Sequence, residues 1–169
     1  MSFASNKFEA PLDLGVDKVR PEWIDYNGHM NVAYYVLAFD YATDRLYARI
    51  GLGKEYMDST QCSTFTLESH INYLREVRQD DPIKFSGQLL DFDTKRIHWY
   101  CEMHQTDEGY HAASIEFITL HVNMQIRRST PFLQGTLETL KNLQSTHVCL
   151  PKPEFSGRKI SIKKEKSNQ

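Results

Sequence analysis

A carboxylate, a glycine, a histidine and an asparagine fall together in the segment WIDYNGHMN at residues 23–31, as Asp25, Gly28, His29 and Asn31. A carboxylate in such a place can act as a general base or as a nucleophile. The segment ends where a helix begins, and the unpaired backbone N–H groups of a helix start, here around Val32, suit a developing oxyanion. His29 adds a donor or a titratable group. Gly28 either supplies a positive φ or lets a ligand approach the backbone. A carboxylate beside an oxyanion-binding helix start is a minimal set for acyl transfer. The same residues also fit a blander reading, with Asp25 as the turn residue before an Asn-Gly bend and His29 as part of the helix cap.

A second polar group lies in STFTLESHINYL, where Glu68, His70 and Asn72 alternate. On a strand they share one face, about 7 Å between successive members. That row is either a solvated sheet face or a set lining a site near Asp25 of the same or a paired subunit. The other histidines, His98, His104, His111, His121 and His147, show no H-E-x-x-H or comparable ligand spacing, which argues against metal catalysis. Cys62, Cys101 and Cys149 carry no nucleophile or metal signature, and no G-x-S-x-G elbow is present. No metal and no cofactor are expected. Arg75, Arg78, Arg127 and Arg128 offer charge for phosphates, but isolated arginines also simply solvate a surface.

The elements that must position these groups follow from periodicity. Residues 16–24 read as extended, with Pro21 interrupting them, and lead into the turn at Gly28. From Asn31, read as the N-cap, the chain VAYYVLAFDYATDRLYARI reads as a helix of about five turns ending at Gly51. Apolar and aromatic residues occur nearly all round it, which predicts a buried helix. The period then changes to two, predicting strands at residues 63–74, 83–91, 96–105 and 110–124, closely spaced enough for antiparallel hairpins. Pro131 opens a predicted short helix carrying Leu133, Leu137, Leu140 and Leu143.

This order predicts an α+β fold, a single curved antiparallel sheet wrapped around a long helix. With 169 residues, about 40% of them hydrophobic, the chain can bury one core, so one domain is expected over residues 1–150. Residues 151–169 form a basic tail with Lys152, Arg158, Lys159, Lys163, Lys164 and Lys166, expected to be disordered or draped over a neighbour. A formal net charge of −2 gives no positive field for nucleic acid. No apolar run approaches the roughly 18–20 residues that span a bilayer, so no membrane partner is expected. The odd cysteine count and the lack of an apolar leader point to the cytoplasm.

The pattern D-x-x-G-H-M-N followed by an aromatic-rich helix resembles the signature of hot-dog-fold acyl-CoA thioesterases of the 4-hydroxybenzoyl-CoA thioesterase type. The resemblance spans roughly residues 16–124. It implies a hot-dog fold, an acyl-CoA substrate, no cofactor, and a homodimer or homotetramer with active sites between protomers. It further implies that Asp25 attacks the thioester or activates water, while amides near Val32 polarise the carbonyl. His29 and Glu68 join Asp25 as catalytic candidates. Gly28, Asn31, Val32, Tyr34 and His70 are the substrate-binding candidates.

Within that family, EWIDYNGHMN, ATDRL at 42–46, TLESHI at 66–71 and KRIH at 95–98 look similar to thioesterases of carnitine degradation, which act on betainyl-CoA. A trimethylammonium group would suit an aromatic cage, for which Trp23, Tyr26, Tyr34, Tyr35, Trp99 and Tyr100 are candidates, although such residues commonly just pack a core. Two other readings stay open: a hot-dog hydratase or dehydratase, which moves a proton beside an uncleaved thioester, and a non-catalytic acyl-CoA binding module.

Overall fold

The computed structural model describes residues 8–162. Its elements run β1 (Leu12–Lys18), α1 (Val32–Arg49), α2 (Lys54–Thr60), β2 (Cys62–Tyr73), β3 (Pro82–Phe92), β4 (Arg96–Gln105), β5 (Tyr110–Asn123), β6 (Arg128–Ser129) and α3 (Gln134–His147). The sheet is antiparallel in the order β1-β3-β4-β5-β2, with β6 added beside β5. It curls around α1 as a hot-dog fold, and the core fills the space between them. Among the described residues no helix is long and apolar enough to cross a membrane.

The helix is seated by Phe39, Leu46 and Tyr47, which pack against Leu12, Leu14, Phe85 and Trp99. Phe39 meets Phe85 edge to face, ring centroids 5.7 Å apart. Packing is tight at Gly87 on β3, where a Cβ would come 3.0 Å from Leu14 Cδ1 and 3.1 Å from Leu46 Cδ1. A methyl group at that position would force these two leucine side chains to give way by a few tenths of an ångström.

Several expectations need correction. The predicted extended run at 16–24 is shifted: β1 ends at Lys18, and Pro21 opens a short 3₁₀ turn at Pro21–Trp23, as its fixed φ and missing N–H favour. The helix predicted from Pro131 starts at Gln134, because Thr130 N–H and Phe132 N–H are spent on His121 O and Thr94 O and hold that stretch against the sheet. α1 is not buried all round: Tyr35, Ala38, Phe39, Ala42 and Leu46 face the core, while Val32, Val36 and Asp40 lie on an exposed side. α2 lies outside the expected elements and fits within the connection that returns the chain to β2.

The first residues beyond α3 form a turn that docks on the sheet face away from α1. Ser156 is buried there and Gly157 N–H donates to Glu116 Oε2. Lys163, Lys164 and Lys166 of the basic tail lie outside the described residues.

His147, at the end of α3, ties three segments together. Its Nδ1 accepts from Leu89 N–H at 2.9 Å, and its Nε2 donates to Glu9 O at 3.0 Å. Burial pushes its pKa below the ordinary histidine value, against the opposing pull of the Glu9 carbonyl. The unfolded chain therefore takes up this proton first as pH falls. Stability should be flat above about 6.5 and decline below it until the folded protein is itself protonated, at which point the Leu89 bond is lost. Thermal melting across this range should show that decline in the wild type and a flatter profile in His147→Gln. Equal slopes would remove His147 as its source.

Candidate active site

Trp23 is buried and anchors the loop that carries the candidate chemistry. A bridge between Ile24 and Met30 closes the loop, reinforced by Asp25 N–H donating to His29 O at 3.1 Å and Gly28 N–H to Asp25 O at 3.0 Å. Gly28 adopts φ +82° with open space where a Cβ would stand, so it serves backbone conformation and keeps the loop face clear. From below, Asn31 N–H donates to Trp23 O and Met30 N–H to Val77 O, each at 2.9 Å.

The Asp25 side chain is half-buried and held at both oxygens. Oδ1 accepts from Asn27 N–H at 2.8 Å, and Oδ2 from Asn31 Nδ2 at 3.3 Å. Asn31 also caps α1, its Oδ1 accepting from Ala33 N–H at 3.0 Å, while its carbonyl takes Tyr34 N–H. One amide side chain thus links the carboxylate to the helix start. The Val32 N–H makes no hydrogen bond among the described residues and is left to donate outward. A carboxylate with lone pairs to spare and an unpaired helix-start donor, joined through a single side chain, can activate a nucleophile and stabilise the oxyanion that it creates.

His29 lies at the loop's edge, partly exposed, with Nε2 4.0 Å from Glu76 Oε2. Tyr34 stacks on Trp23 with centroids 6.0 Å apart. The loop therefore gathers Asp25, Gly28, His29, Asn31, Val32 and Tyr34. Within one chain it does not gather Glu68 and His70. In the β2–β5 ladder Glu68 stands opposite Ile118, His70 opposite Glu116 and Asn72 opposite Ser114. Ile71 and Tyr73 point the other way, to the α1 side, where Tyr73 meets Tyr35 edge-on at 5.2 Å. A bulge between Thr66 and Glu68 resets the alternation, so Thr64 and Thr66 do not share the face of Glu68.

The six aromatics proposed for a cage are dispersed. Trp99 is buried in the core and Tyr100 points through to the opposite sheet face. Tyr26 is 97% exposed, and the Arg20 guanidinium already sits 4.9 Å from the Trp23 ring centroid. Only Trp23 and Tyr34 stack at the loop itself. The large cavity of about 740 Å³ lies elsewhere, between α3, the C-terminal turn and the outer sheet face, and it includes His98, Glu116 and Lys152 but no residue of the Asp25 loop.

The support of the loop by Glu76 and Val77 had no signal in the sequence, since these residues lie far along the chain and contribute a backbone carbonyl and a distant carboxylate. The link from Asn31 to Asp25 was partly legible, because the N-cap preference placed Asn31 at the helix start.

Residues 19–140 match the thioesterase-like superfamily. A betainyl-CoA thioesterase from Pseudomonas aeruginosa is 42% identical over 85% of this chain and 91% of its own length. An L-carnitine dehydrogenase/betainyl-CoA thioesterase from Rhizobium meliloti is 33% identical over 91% of this chain and 31% of its own. Among solved structures, a hypothetical protein from Staphylococcus aureus in complex with CoA superposes with TM-score 0.84 at 26% identity, covering 96% of this chain and all 100% of that one. A candidate thioesterase from Pseudomonas putida superposes with TM-score 0.79 at 36% identity, covering 92% and 99% of the two chains.

Proposed function

Because the chain belongs to the thioesterase-like superfamily, we propose that it is a hydrolase that splits a small acyl-CoA, with betainyl-CoA the foremost candidate, into the free acid and CoA. The observation that carries this reading is the Asn31 side chain joining the Asp25 carboxylate to the start of α1, beside the unpaired Val32 N–H. In the water route, Asp25 takes a proton from water as the oxygen adds to the thioester carbonyl. Val32 N–H stabilises the oxyanion, and its collapse expels CoA thiolate, which then takes up a proton. In the covalent route Asp25 itself adds, forming a mixed anhydride that water hydrolyses. Both routes use the same two groups.

The betainyl assignment rests on the 42% identity to the Pseudomonas aeruginosa betainyl-CoA thioesterase. Tyr34, two residues beyond the Val32 amide and stacked on Trp23, is the aromatic face we assign to the trimethylammonium group. The active unit in this reading is a homodimer or homotetramer. Among the described residues β2 pairs only with β5 and leaves its other edge uncovered, and Phe65, Leu67 and Tyr73 of this strand are exposed. The three cysteines are free, which accords with a cytoplasmic protein.

Thiol release from a panel of betainyl-CoA, short straight-chain and aromatic acyl-CoAs tests the reaction and the substrate together. Fastest release from betainyl-CoA is expected. A different preferred acyl group would leave the hydrolase and remove the betainyl assignment. Folded protein that releases no thiol from any member would overturn the hydrolase reading and favour a binding module or hydratase.

Asn31→Ala should destabilise the protein by about 1 kcal/mol through loss of the cap. It should also lower kcat by on the order of tenfold to a hundredfold, because the carboxylate and the helix start lose their shared tether. Comparing kcat with KM and with the melting temperature separates the two effects. A kcat within twofold of wild type would show that Asn31 serves only the helix.

A further inference from the structure

On the sheet face away from α1, where β4 turns into β5, Glu102 and His104 project from the same side of β4 and His111 stands opposite His104 on β5. One donor atom from each of the three lies within 4.8 Å of the other two. The two imidazoles stack with centroids 4.7 Å apart and planes 17° from parallel. His104 Nε2 and Glu102 Oε2 are 3.8 Å apart, beyond hydrogen-bonding distance. Among the described residues, neither the Glu102 nor the His104 side chain makes a hydrogen bond that would occupy its donor atoms.

His111 differs in a way that points to a ligand. Its Nε2 donates to Ala113 O at 3.0 Å, which fixes the ring proton there and leaves the Nδ1 lone pair free. A metal-binding histidine commonly uses its second nitrogen in this way, donating to a backbone carbonyl that sets tautomer and ring orientation. We propose that Glu102, His104 and His111 form a binding site for one divalent transition-metal ion with a preference for imidazole, represented by Zn²⁺.

Two imidazoles and a carboxylate are a donor set suited to such an ion, with one position left for water. A cavity of about 280 Å³ lined by Lys84, His104, Thr106 and Gly109 lies beside His104. Lys84 faces His104 across the β3–β4 ladder, but its ammonium is held by Asp13 at 2.9 Å and does not fill the site. Tetrahedral Zn–N bonds of about 2.0–2.1 Å imply ligand atoms about 3.4 Å apart, so side-chain rotations of roughly an ångström close the site. The bound ion ties the turn end of β4 to β5. Phe155 packs against His111 with ring centroids 5.9 Å apart, which places the ion beside the docked C-terminal turn. The site is separate from the Asp25 loop and does not depend on the proposed reaction.

The test is calorimetric titration of chelator-treated, full-length protein with Zn²⁺ at neutral pH, alongside His104→Gln, His111→Gln and Cys149→Ser. One ion per chain is expected, with affinity at least about 100-fold weaker in each histidine variant and unchanged in Cys149→Ser. Thiol release should be unaffected in the histidine variants. Absence of uptake by the wild type, uptake that survives both histidine substitutions, or loss only in Cys149→Ser would overturn the proposal. Visible absorbance of the Co²⁺-loaded wild type checks the ligands without substitution: nitrogen and oxygen ligation supports the site, and a thiolate charge-transfer band places the ion at a cysteine and sinks it.

Discussion

Asp25→Asn should lower kcat/KM for thioester hydrolysis by about a thousandfold, the middle of the range for loss of a general base. The substitution preserves size and leaves an amide oxygen able to accept from Asn27 N–H, the closer of the two contacts that hold the side chain. What it removes is basicity and nucleophilicity. The second contact changes as well, because an amide NH₂ would then face the Asn31 Nδ2 donor that now meets Oδ2. That mismatch should cost at most about 1–2 kcal/mol at this partly solvated position. The melting temperature should therefore fall little while turnover collapses. Glu at this position would keep the charge but move it by a methylene, and should recover only part of the rate. The measurement is steady-state thiol release with circular dichroism on the same samples. Asp25→Asn retaining more than about a tenth of wild-type kcat/KM would falsify the role of Asp25 in either chemical route.

Phe39→Ala should be among the most destabilising single changes, by about 4 kcal/mol. Phe39 is 1% exposed, lies midway along α1 and meets Phe85 of β3 edge to face. Its loss removes apolar burial, an aromatic contact and the volume that keeps the helix apart from but against the sheet, leaving a cavity that neighbours fill only in part. For a domain of this size that energy corresponds to a fall in Tm of roughly 8–16 °C. Self-association would make Tm depend on concentration, so wild type and variant are to be compared at one protein concentration. Phe39→Leu keeps most of the volume and should lose well under half as much. Equal Tm values for Phe39→Ala and wild type would mean that α1 is not seated by this contact.

The two predictions separate the scaffold from the chemistry. Phe39 acts through packing between α1 and β3. In the proposed reaction Asp25 acts through a lone pair, in a loop whose shape is set mostly by backbone bonds. Asn31 stands between the two, since one side chain caps the helix and holds the carboxylate.

The sequence by itself determined the fold class, the long helix and the four long strands, because periods of 3.6 and two are local consequences of which face must be buried. The β4 limits, Arg96–Gln105, coincide with those read from the pattern, β3 is longer by a residue at each end, and β5 ends a residue earlier. It also determined the Asp25 to Val32 cluster, since a carboxylate, a glycine turn and an N-cap only a few residues apart must be neighbours in space. Tertiary structure decided what pairing and packing control. Whether Glu68 and His70 reach Asp25 depended on the faces of a ladder whose phase is reset by a bulge near Leu67, and no local pattern encodes that insertion. The dispersal of Trp99 and Tyr100 to opposite sides of the sheet follows from a strand's alternation once the core side is fixed. Likewise, His104 and His111 show no ligand spacing along the chain and meet only because the β4–β5 register sets them opposite each other. Contacts within a turn of chain are dictated by short-range sterics and hydrogen bonding, whereas contacts between strands are fixed by register, a cooperative property of the whole sheet.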